Sequence, residues 1–465
     1  VLFCNPYLTK YFVKTKTLVV AYEDEPVFRT TAATMLLGMQ LMVGHLPFKP
    51  SLLPVANPLP LSYFSKSGIN AYNANFQGLD TNKLKRIDYI LDEVVQSGAA
   101  PGGQVLVAKN GKIIYEKAFG RYTYGSSQMV TPNTMYDVAS ITKAYASSLM
   151  GMKLYDLGML SIEATLDTYI PETKGKAVGK IKIRELMLHQ AGLPAWIPFY
   201  KETLGVNFSK IYATKKDGVY QLPVASNMFM DTMEAVRMMD RIYNSTLTSR
   251  GSYKYSDLSL ILLKKVMENI AQMPMDSFLY YNFYKPLGLK HTGFNMYRTY
   301  PIDAFAPSED DGYFRQQIIQ GYVHDMGAAM FGGVSGHAGL FSNAEDMLVI
   351  SEMLRNKGNY NGVSYINPTT IALFTSQQNN SCRRGLVFDK PEGRKGYGSP
   401  TSESCPISAF GHTGFTGTCV WIDPTNNLVY IFLSNRTFPT MENNKLVRGN
   451  YRDKIQETVY NALKK

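Results

Sequence analysis

Apolar and polar positions along this chain repeat with two different periods, and the points where the period changes outline its architecture. Leu18-Val-Val-Ala-Tyr is a short run of β-formers that predicts a buried strand, and Glu25 to Val43 carries a helical repeat that stops at Gly44. From about Pro47 to Gly78 the pattern dissolves into Pro, Ser, Asn and Gly, the composition of a linker or an extended wrapping arm. Amphipathic helical spacing returns between Thr81 and Ser97. Two β-rich runs, Gly103-Gln-Val-Leu-Val-Ala-Lys and Lys112-Ile-Ile-Tyr-Glu-Lys, then flank Asn110-Gly111, a dipeptide whose tolerance of positive φ specifies a two-residue hairpin. The stretch from Ser140 to about Leu287 reads as mainly helical with long loops. Ala344 to Arg355 reads as another helix, with Ser342-Asn343 available as caps. Strand character reappears in Thr418-Cys-Val-Trp-Ile-Asp and Leu428-Val-Tyr-Ile-Phe-Leu, on either side of a turn at Pro424-Thr-Asn-Asn, before a last helix from about Tyr451.

Strands at both ends of the long region with helices between them predict an α+β unit. Its antiparallel sheet is assembled from the two ends, with a helical insertion between. At 465 residues the chain exceeds the roughly 250–300 that a single core supports, so two structural units are expected. The boundaries read from the pattern are a short α/β segment over 1–50, a linker over 51–78 and the larger unit over 79–465.

The chemistry concentrates in three places. Ser140 is the only serine followed three residues later by lysine, in Tyr136-Asp-Val-Ala-Ser-Ile-Thr-Lys, just where a helical repeat begins. Side chains three apart share a helix face, so the Lys143 amine can approach the Ser140 hydroxyl. That hydroxyl holds its proton too tightly to attack at neutral pH, and an amine whose charge is disfavoured by burial or by nearby cations can take it. A helix start would also surround Ser140 with unpaired N–H groups. Downstream, Tyr255-Ser256-Asp257 stands at the entrance to a leucine-rich helix, and His412-Thr413-Gly414 stands beside the C-terminal strand pair.

Composition narrows the function classes. Hydrophobic residues make up 45% and charged residues 18%, enough for a large core. No apolar run approaches the ~20 residues that span a bilayer, and the longest is interrupted by Gln40, so no membrane span is expected. The first residues lack a basic segment followed by an apolar core, and no signal peptide is read there. The formal charge of +11 could favour anionic partners, but Lys and Arg are scattered and no nucleic-acid motif occurs. Four cysteines, Cys4, Cys382, Cys405 and Cys419, show no metal-type spacing. Cys382 and Cys405 are compatible with a disulfide or with buried free thiols.

Taken together and in order, Ser-x-x-Lys, Tyr-x-Asn/Asp and Lys/His-Thr-Gly resemble the penicillin-recognising serine hydrolases, in the branch of class C β-lactamases, D,D-peptidases and esterases. The resemblance covers about residues 79 to 465. It extends to Leu186-Met-Leu-His-Gln-Ala-Gly-Leu-Pro, Gly336-His-Ala-Gly-Leu-Phe-Ser and Phe432-Leu-Ser-Asn-Arg. It implies a β-lactamase/transpeptidase-like fold, an antiparallel sheet flanked by helices with a helical lobe. It also implies Ser140 as the acylated nucleophile, Lys143 as its proton partner and Tyr255 as a proton relay. His412 and Thr413 would line the third-motif strand, followed by Gly414, and the backbone N–H groups of Ser140 and Phe415 would form an oxyanion hole. No cofactor and no metal is implied. The implied substrates are peptidoglycan-derived D-amino-acyl peptides, with an esterase or weak β-lactamase as the alternative, in a periplasmic or secreted setting. A silent muropeptide-binding module is the alternative of another class, disfavoured because it has no need of Lys143 and Tyr255 together.

Two departures from the family pattern bear on substrate. Asp257 stands where many members carry Asn, which removes an amide donor and supplies a carboxylate; it reads equally as an orienter of Lys143 and as a helix N-cap. His412 stands where many carry Lys, which weakens a fixed cation, since histidine is largely neutral above its ordinary pKa of about 6.5. The first fifty residues resemble a different family, the C-terminal end of family 3 glycoside hydrolases of the β-N-acetylhexosaminidase type, through Asn5-Pro-Tyr, Leu18-Val-Val-Ala-Tyr-Glu-Asp-Glu-Pro and Gly44-His-Leu-Pro. This likeness implies an upstream glycosidase domain in the parent polypeptide and no glycosidase activity in the chain itself.

Other candidates read as structural. His324-Asp325 and His337 could ligate a metal, but their glycine-rich setting favours loops hydrogen-bonded around a pocket. His291-Thr-Gly duplicates the third motif away from the terminal strands, His189 reads as a packing residue, and Ser335 lacks the second glycine of a nucleophile elbow.

Overall fold

The computed structural model describes residues 68–394 and 397–464, together with a two-residue parallel pairing of Leu2–Phe3 with Val20–Ala21. Val20–Ala21 falls within the strand predicted at 18–22. The helix predicted from Glu25 to Val43 lies outside the described residues.

The centre of the molecule is a five-stranded sheet made of β1 (Gly102–Lys109), β2 (Lys112–Gly120), β3 (Phe410–Thr413), β4 (Cys419–Asp423) and β5 (Leu428–Ser434). Its order is β3-β4-β5-β1-β2 and every pairing is antiparallel. The expected β1–β2 hairpin turns at Asn110 and Gly111, with φ of 50° and 73°, the left-handed pair that a two-residue turn requires. The β4–β5 turn is held by Asp423 Oδ1, which accepts the N–H groups of Thr425 and Asn426. Pairing of β5 with β1, from Leu428 opposite Lys109 to Ser434 opposite Gly103, closes the two ends of the unit on each other.

Side chains of successive strand residues go to opposite faces, and here both faces are apolar. Leu106, Val420, Ile422, Val429, Ile431 and Leu433 belong to one core, while Val105, Val107, Trp421, Tyr430 and Phe432 belong to another. A sheet buried on both sides needs helices on both sides. They are supplied by α1 (Arg86–Gln96) and α5 (Tyr451–Ala462) on the second face, through Ile87, Leu91, Val94, Ile455 and Val459. The first face is covered by α4 (Ala344–Arg355), through Met347 and Ile350. Asn343 caps α4 by accepting the N–H of Asp346, as its position predicted. Between the ends lie α2 (Ser148–Asp156) and α3 (Asp257–Ala271), the framework of the helical lobe.

Three local differences from expectation have local causes. The helix predicted over 81–97 is broken at Lys85 into Thr81–Leu84 and Arg86–Gln96. The last part of the stretch read as linker contains a helix, Ala71–Phe76, because Asn70 caps it and Ile69, Ala74 and Leu79 are buried in the second core. The lobe also holds a three-stranded sheet, Tyr212–Ala213, Met228–Asp231 and Tyr220–Ala225 in that order, where helix and loop were expected. Pro223 is accommodated there because its strand is at the edge.

Candidate active site

Ser140 is presented by a tightly held loop. Ala139, just before it, adopts φ of 48°, unusual for a residue with a side chain. Asp137 supports this turn by accepting the Ala139 N–H at 2.8 Å on one oxygen and the His324 N–H at 2.6 Å on the other. The turn between β3 and β4 docks on the same loop. Thr416 Oγ1 donates to the Asp137 carbonyl at 2.7 Å and Thr418 Oγ1 to the Val138 carbonyl at 3.1 Å. Gly414 has to be glycine for this contact, since a Cβ there would lie 2.1 Å from Thr418 Oγ1 and 2.5 Å from the Val138 oxygen. The chain then runs through a π-helical turn, Lys143–Ser147, into α2, and wide turns of this kind recur at functional sites.

Four polar groups converge here. Lys143 Nζ donates to Ser140 Oγ at 2.8 Å and to the His337 carbonyl at 2.9 Å, and it forms an ion pair with Asp257 Oδ1 at 2.8 Å. The Tyr255 hydroxyl is 3.0 Å from Ser140 Oγ, and the Lys143 amine sits 5.0 Å from the centre of the Tyr255 ring. Lys143 is wholly buried. Burial works against its charge, yet the neighbouring Asp257 and Tyr255 outweigh burial and hold its pKa above the ordinary lysine value. The acid brought by the second motif thus favours an ammonium at this position. Burial also raises the Tyr255 pKa, which Lys143 draws down and Asp257 pushes up. Asp257 is the first residue of α3, with Ser256 at the cap position, so its carboxylate serves Lys143 and does not cap the helix.

Tyr255 is walled in by groups of which sequence identified only part. The His189 ring stacks on it with centres 4.4 Å apart. His189 Nδ1 lies 3.1 Å from both the backbone nitrogen and the carbonyl oxygen of Ser256, and burial holds this imidazole neutral. His189 is therefore a packing residue, as expected, but its packing partner is Tyr255. On another side the buried Arg384 guanidinium lies 5.3 Å from the ring centre. Arg384 also reaches Tyr253 OH at 3.1 Å, Asp389 Oδ2 at 3.1 Å and His412 Nε2 at 3.3 Å. The His412 ring centre is 6.3 Å from that of Tyr255. His412 Nδ1 faces the Thr413 carbonyl at 2.7 Å, so it carries the proton and Nε2 accepts from Arg384. Burial, then Arg384 and Lys143, push the His412 pKa down to about 3, a permanently neutral ring. Arg383 and Arg384 share the one Asp389 carboxylate, whose pKa they hold down at about 2 against burial.

The structure thus brings Ser140, Lys143, Tyr255, Asp257 and His412 together and sets Thr413, Gly414 and Phe415 along the adjoining strand end. The N–H groups of Ser140 and Phe415 have no hydrogen-bond acceptor among the described residues. Of the remaining candidates, His337 bonds Asp325 Oδ1 through Nε2 at 2.8 Å and Ser335 Oγ through Nδ1 at 2.9 Å, fixing the loop whose carbonyl receives Lys143. One ligand-type atom each of Asp257, Asp325 and His337 lie within 4.8 Å of one another, already occupied by these hydrogen bonds and by Lys143. His324 Nε2 lies 3.0 Å from Glu309 Oε2, and His291 lies at the start of α4 against Asp346 and Asn343. Cys382, Cys405 and Cys419 are buried free thiols. Sequence reasoning missed Arg384, Asp389 and Asp137; Cys382-Arg-Arg sits in an irregular loop with no periodic signal, and only the hydrogen bonds of Asp137 mark it.

Comparison with known proteins bears on the family and the fold. A family profile described as Beta-lactamase matches residues 87–449. A Salmonella gallinarum protein named "Putative D-alanyl-D-alanine carboxypeptidase" is 32% identical over 396 residues, covering 79% of this chain and 86% of its own. A Bacillus subtilis protein named N-acetylmuramyl-L-alanine amidase is 32% identical over 398 residues, covering 79% and 83%. Among solved structures, EstCE1, described as a hydrolase with promiscuous acyltransferase activity, superposes with a TM-score of 0.59 at 21% identity over 82% of this chain and 99% of that one. The penicillin-binding protein homologue from Pyrococcus abyssi superposes with a TM-score of 0.56 at 17% identity over 81% and 79%. The fold is the one the sequence motifs implied.

Proposed function

The chain belongs to the beta-lactamase family and is a serine hydrolase, and on that premise we propose that it cleaves peptidoglycan-derived D-amino-acyl peptides through an acyl-enzyme on Ser140. The observation that carries this reading is the approach of Lys143 and Tyr255 to one hydroxyl, at 2.8 and 3.0 Å. In the resting site both partners hold protons. Loss of one proton from the Lys143–Tyr255 pair creates the acceptor for the Ser140 proton, and the freed oxygen attacks the substrate carbonyl. The negative charge that forms is received by the N–H groups of Ser140 and Phe415, contributing around 3 kcal/mol each. The pair then returns its proton to the leaving amine, and water repeats the sequence in reverse to release the acid. Asp257 holds Lys143 in place, and Arg384 with His189 fixes the Tyr255 ring.

Substrate choice follows from the charges around His412. The neutral imidazole offers no cation, but Arg383 and Arg384 against one Asp389 leave a net positive charge beneath it, which favours a substrate with a nearby carboxylate. A second reading has its own support. The Bacillus subtilis relative is named N-acetylmuramyl-L-alanine amidase, and Tyr253 and Phe415 offer exposed aromatic surface beside the site. Incubation with a peptide ending in D-Ala-D-Ala and with an N-acetylmuramyl-L-alanyl peptide, followed by mass spectrometry of the products, separates the two. Nitrophenyl esters and cephalosporins in the same panel measure esterase and β-lactamase turnover. Labelling with a fluorescent penicillin or a fluorophosphonate should place the adduct on Ser140; a label elsewhere contradicts the mechanism.

The segment 1–50 is proposed as the tail of a family 3 glycoside hydrolase domain, and the setting as the periplasm or cell exterior. Both rest on resemblance, and measurable cleavage of a chromogenic N-acetylglucosaminide by this chain would contradict the first.

A further inference from the structure

Phe432-Leu-Ser-Asn-Arg marks the family resemblance, yet its arginine takes no part in the site described above. Arg436 lies just past the end of β5, 6% exposed, and makes no ion pair with any described carboxylate. A buried cation spends desolvation free energy, so its retention without an acidic partner needs a reason. Its bonds all go to backbone carbonyls. Nε donates to the Phe415 oxygen at 2.7 Å, and Nη1 donates to the oxygens of Met441, at 3.3 Å, and Asn443. Its guanidinium carbon also lies 4.6 Å from the centre of the Phe415 ring, and its own N–H donates to the Thr416 carbonyl at 3.0 Å. Even with burial and the charge of Arg452 lowering its pKa to about 10, it remains charged at neutral pH.

These contacts bear on one N–H. The Gly414 carbonyl accepts the Gly417 N–H at 3.1 Å, and in a trans peptide the N–H opposes the C=O, so the Phe415 N–H is turned out of that tight turn. The next peptide plane is held by Arg436 on the Phe415 oxygen. With the planes on both sides of its α-carbon fixed, residue 415 has no freedom left to swing its N–H, and that N–H is without an acceptor among the described residues. We infer that Arg436 is a positioning residue of the oxyanion hole, its guanidinium clamping the Phe415 carbonyl so that the Phe415 N–H stays aimed at the reacting oxygen. The inference rests on the assignment of the Ser140 and Phe415 N–H groups to that hole.

The test compares wild type, Arg436→Met and Arg436→Lys on a nitrophenyl ester, with Ki for a phenylboronic acid, whose tetrahedral adduct on Ser140 places an oxygen in the hole. Arg436→Met should lower kcat at least about tenfold while leaving KM within about twofold, and should weaken the boronic acid by a similar factor. Arg436→Lys, a single point charge without the fork geometry, should fall between the two. It also carries the test if the methionine variant does not fold. A folded variant with kcat within about twofold of wild type, or one in which KM rises alone, would overturn the inference. A wild-type protein that forms no adduct at Ser140 would instead overturn the assignment beneath it.

Discussion

The Asp257 carboxylate stands 2.8 Å from the wholly buried Lys143 amine, and this pairing sets the resting protonation of the site. An ammonium at residue 143 cannot accept a proton, so the reaction waits on deprotonation of the Lys143–Tyr255 pair. Because the folded pKa values of both lie above their ordinary values, kcat/KM should rise as pH rises into the alkaline range, with an apparent pKa that belongs to the pair. Asp257→Asn removes the charge that favours the ammonium, and the rise should move to lower pH. A pH–rate profile that is unmoved, or that moves to higher pH, would contradict this.

Ser140 is only partly buried and its replacement opens no large cavity. Ser140→Ala should cut nitrophenyl ester turnover at least about a thousandfold and abolish covalent labelling. Its thermal unfolding midpoint should stay within about 2 °C of wild type, since substitutions away from packed features usually change stability by less than about 0.5 kcal/mol.

Gly414 separates the nucleophile loop from the β3–β4 turn, and an added methyl group would meet the Val138 oxygen at 2.5 Å. Backbone cannot give way as a side chain can. Gly414→Ala should cost about 1–3 kcal/mol by denaturant unfolding and reduce kcat by roughly a hundredfold, because the loop carrying Ser140 and the turn carrying the Phe415 N–H are forced apart. Equal activity in the two proteins would show that the contact does not set the geometry.

Among the described residues, Asp389 is the carboxylate that pairs with both Arg383 and Arg384. Asp389→Asn leaves both guanidinium groups without their ion-pair partner, the Arg384 one in a buried place, and a loss of about 3–5 kcal/mol is expected at pH 7. The folded pKa of about 2 lies below the unfolded value of about 3.9, so this contribution is fully present above about pH 4 and is lost as pH falls toward 2. Urea unfolding of both proteins from pH 7 to 2.5 should show the gap narrowing on the acid side, and a constant gap would assign the loss to packing instead.

Much of this was legible in the chain because it depends on short stretches of residues. Asn110-Gly111 specifies its hairpin by backbone tolerance alone, Asn343 caps α4 as its position predicted, and α5 begins at Tyr451 where the repeat begins. Ser140 and Lys143 share a helix face by spacing, and they meet at 2.8 Å. Local rules failed where partners compete. The strands at 212–231 exist because they pair with one another, and the helix at 71–76 because its apolar side finds the sheet.

The sequence by itself determined most of the elements, the order of the three motifs and the identity of the groups that meet at Ser140, since those follow from periodicity and from residue types at short spacing. Only the tertiary structure decided their electrical state. Lys143 stays charged because of a carboxylate more than a hundred positions along the chain, and His412 stays neutral because folding sets Arg384 against it in a buried place. Charge in a low-dielectric interior responds to every group within a few ångströms, and which groups those are is a property of the folded chain and not of any segment of it.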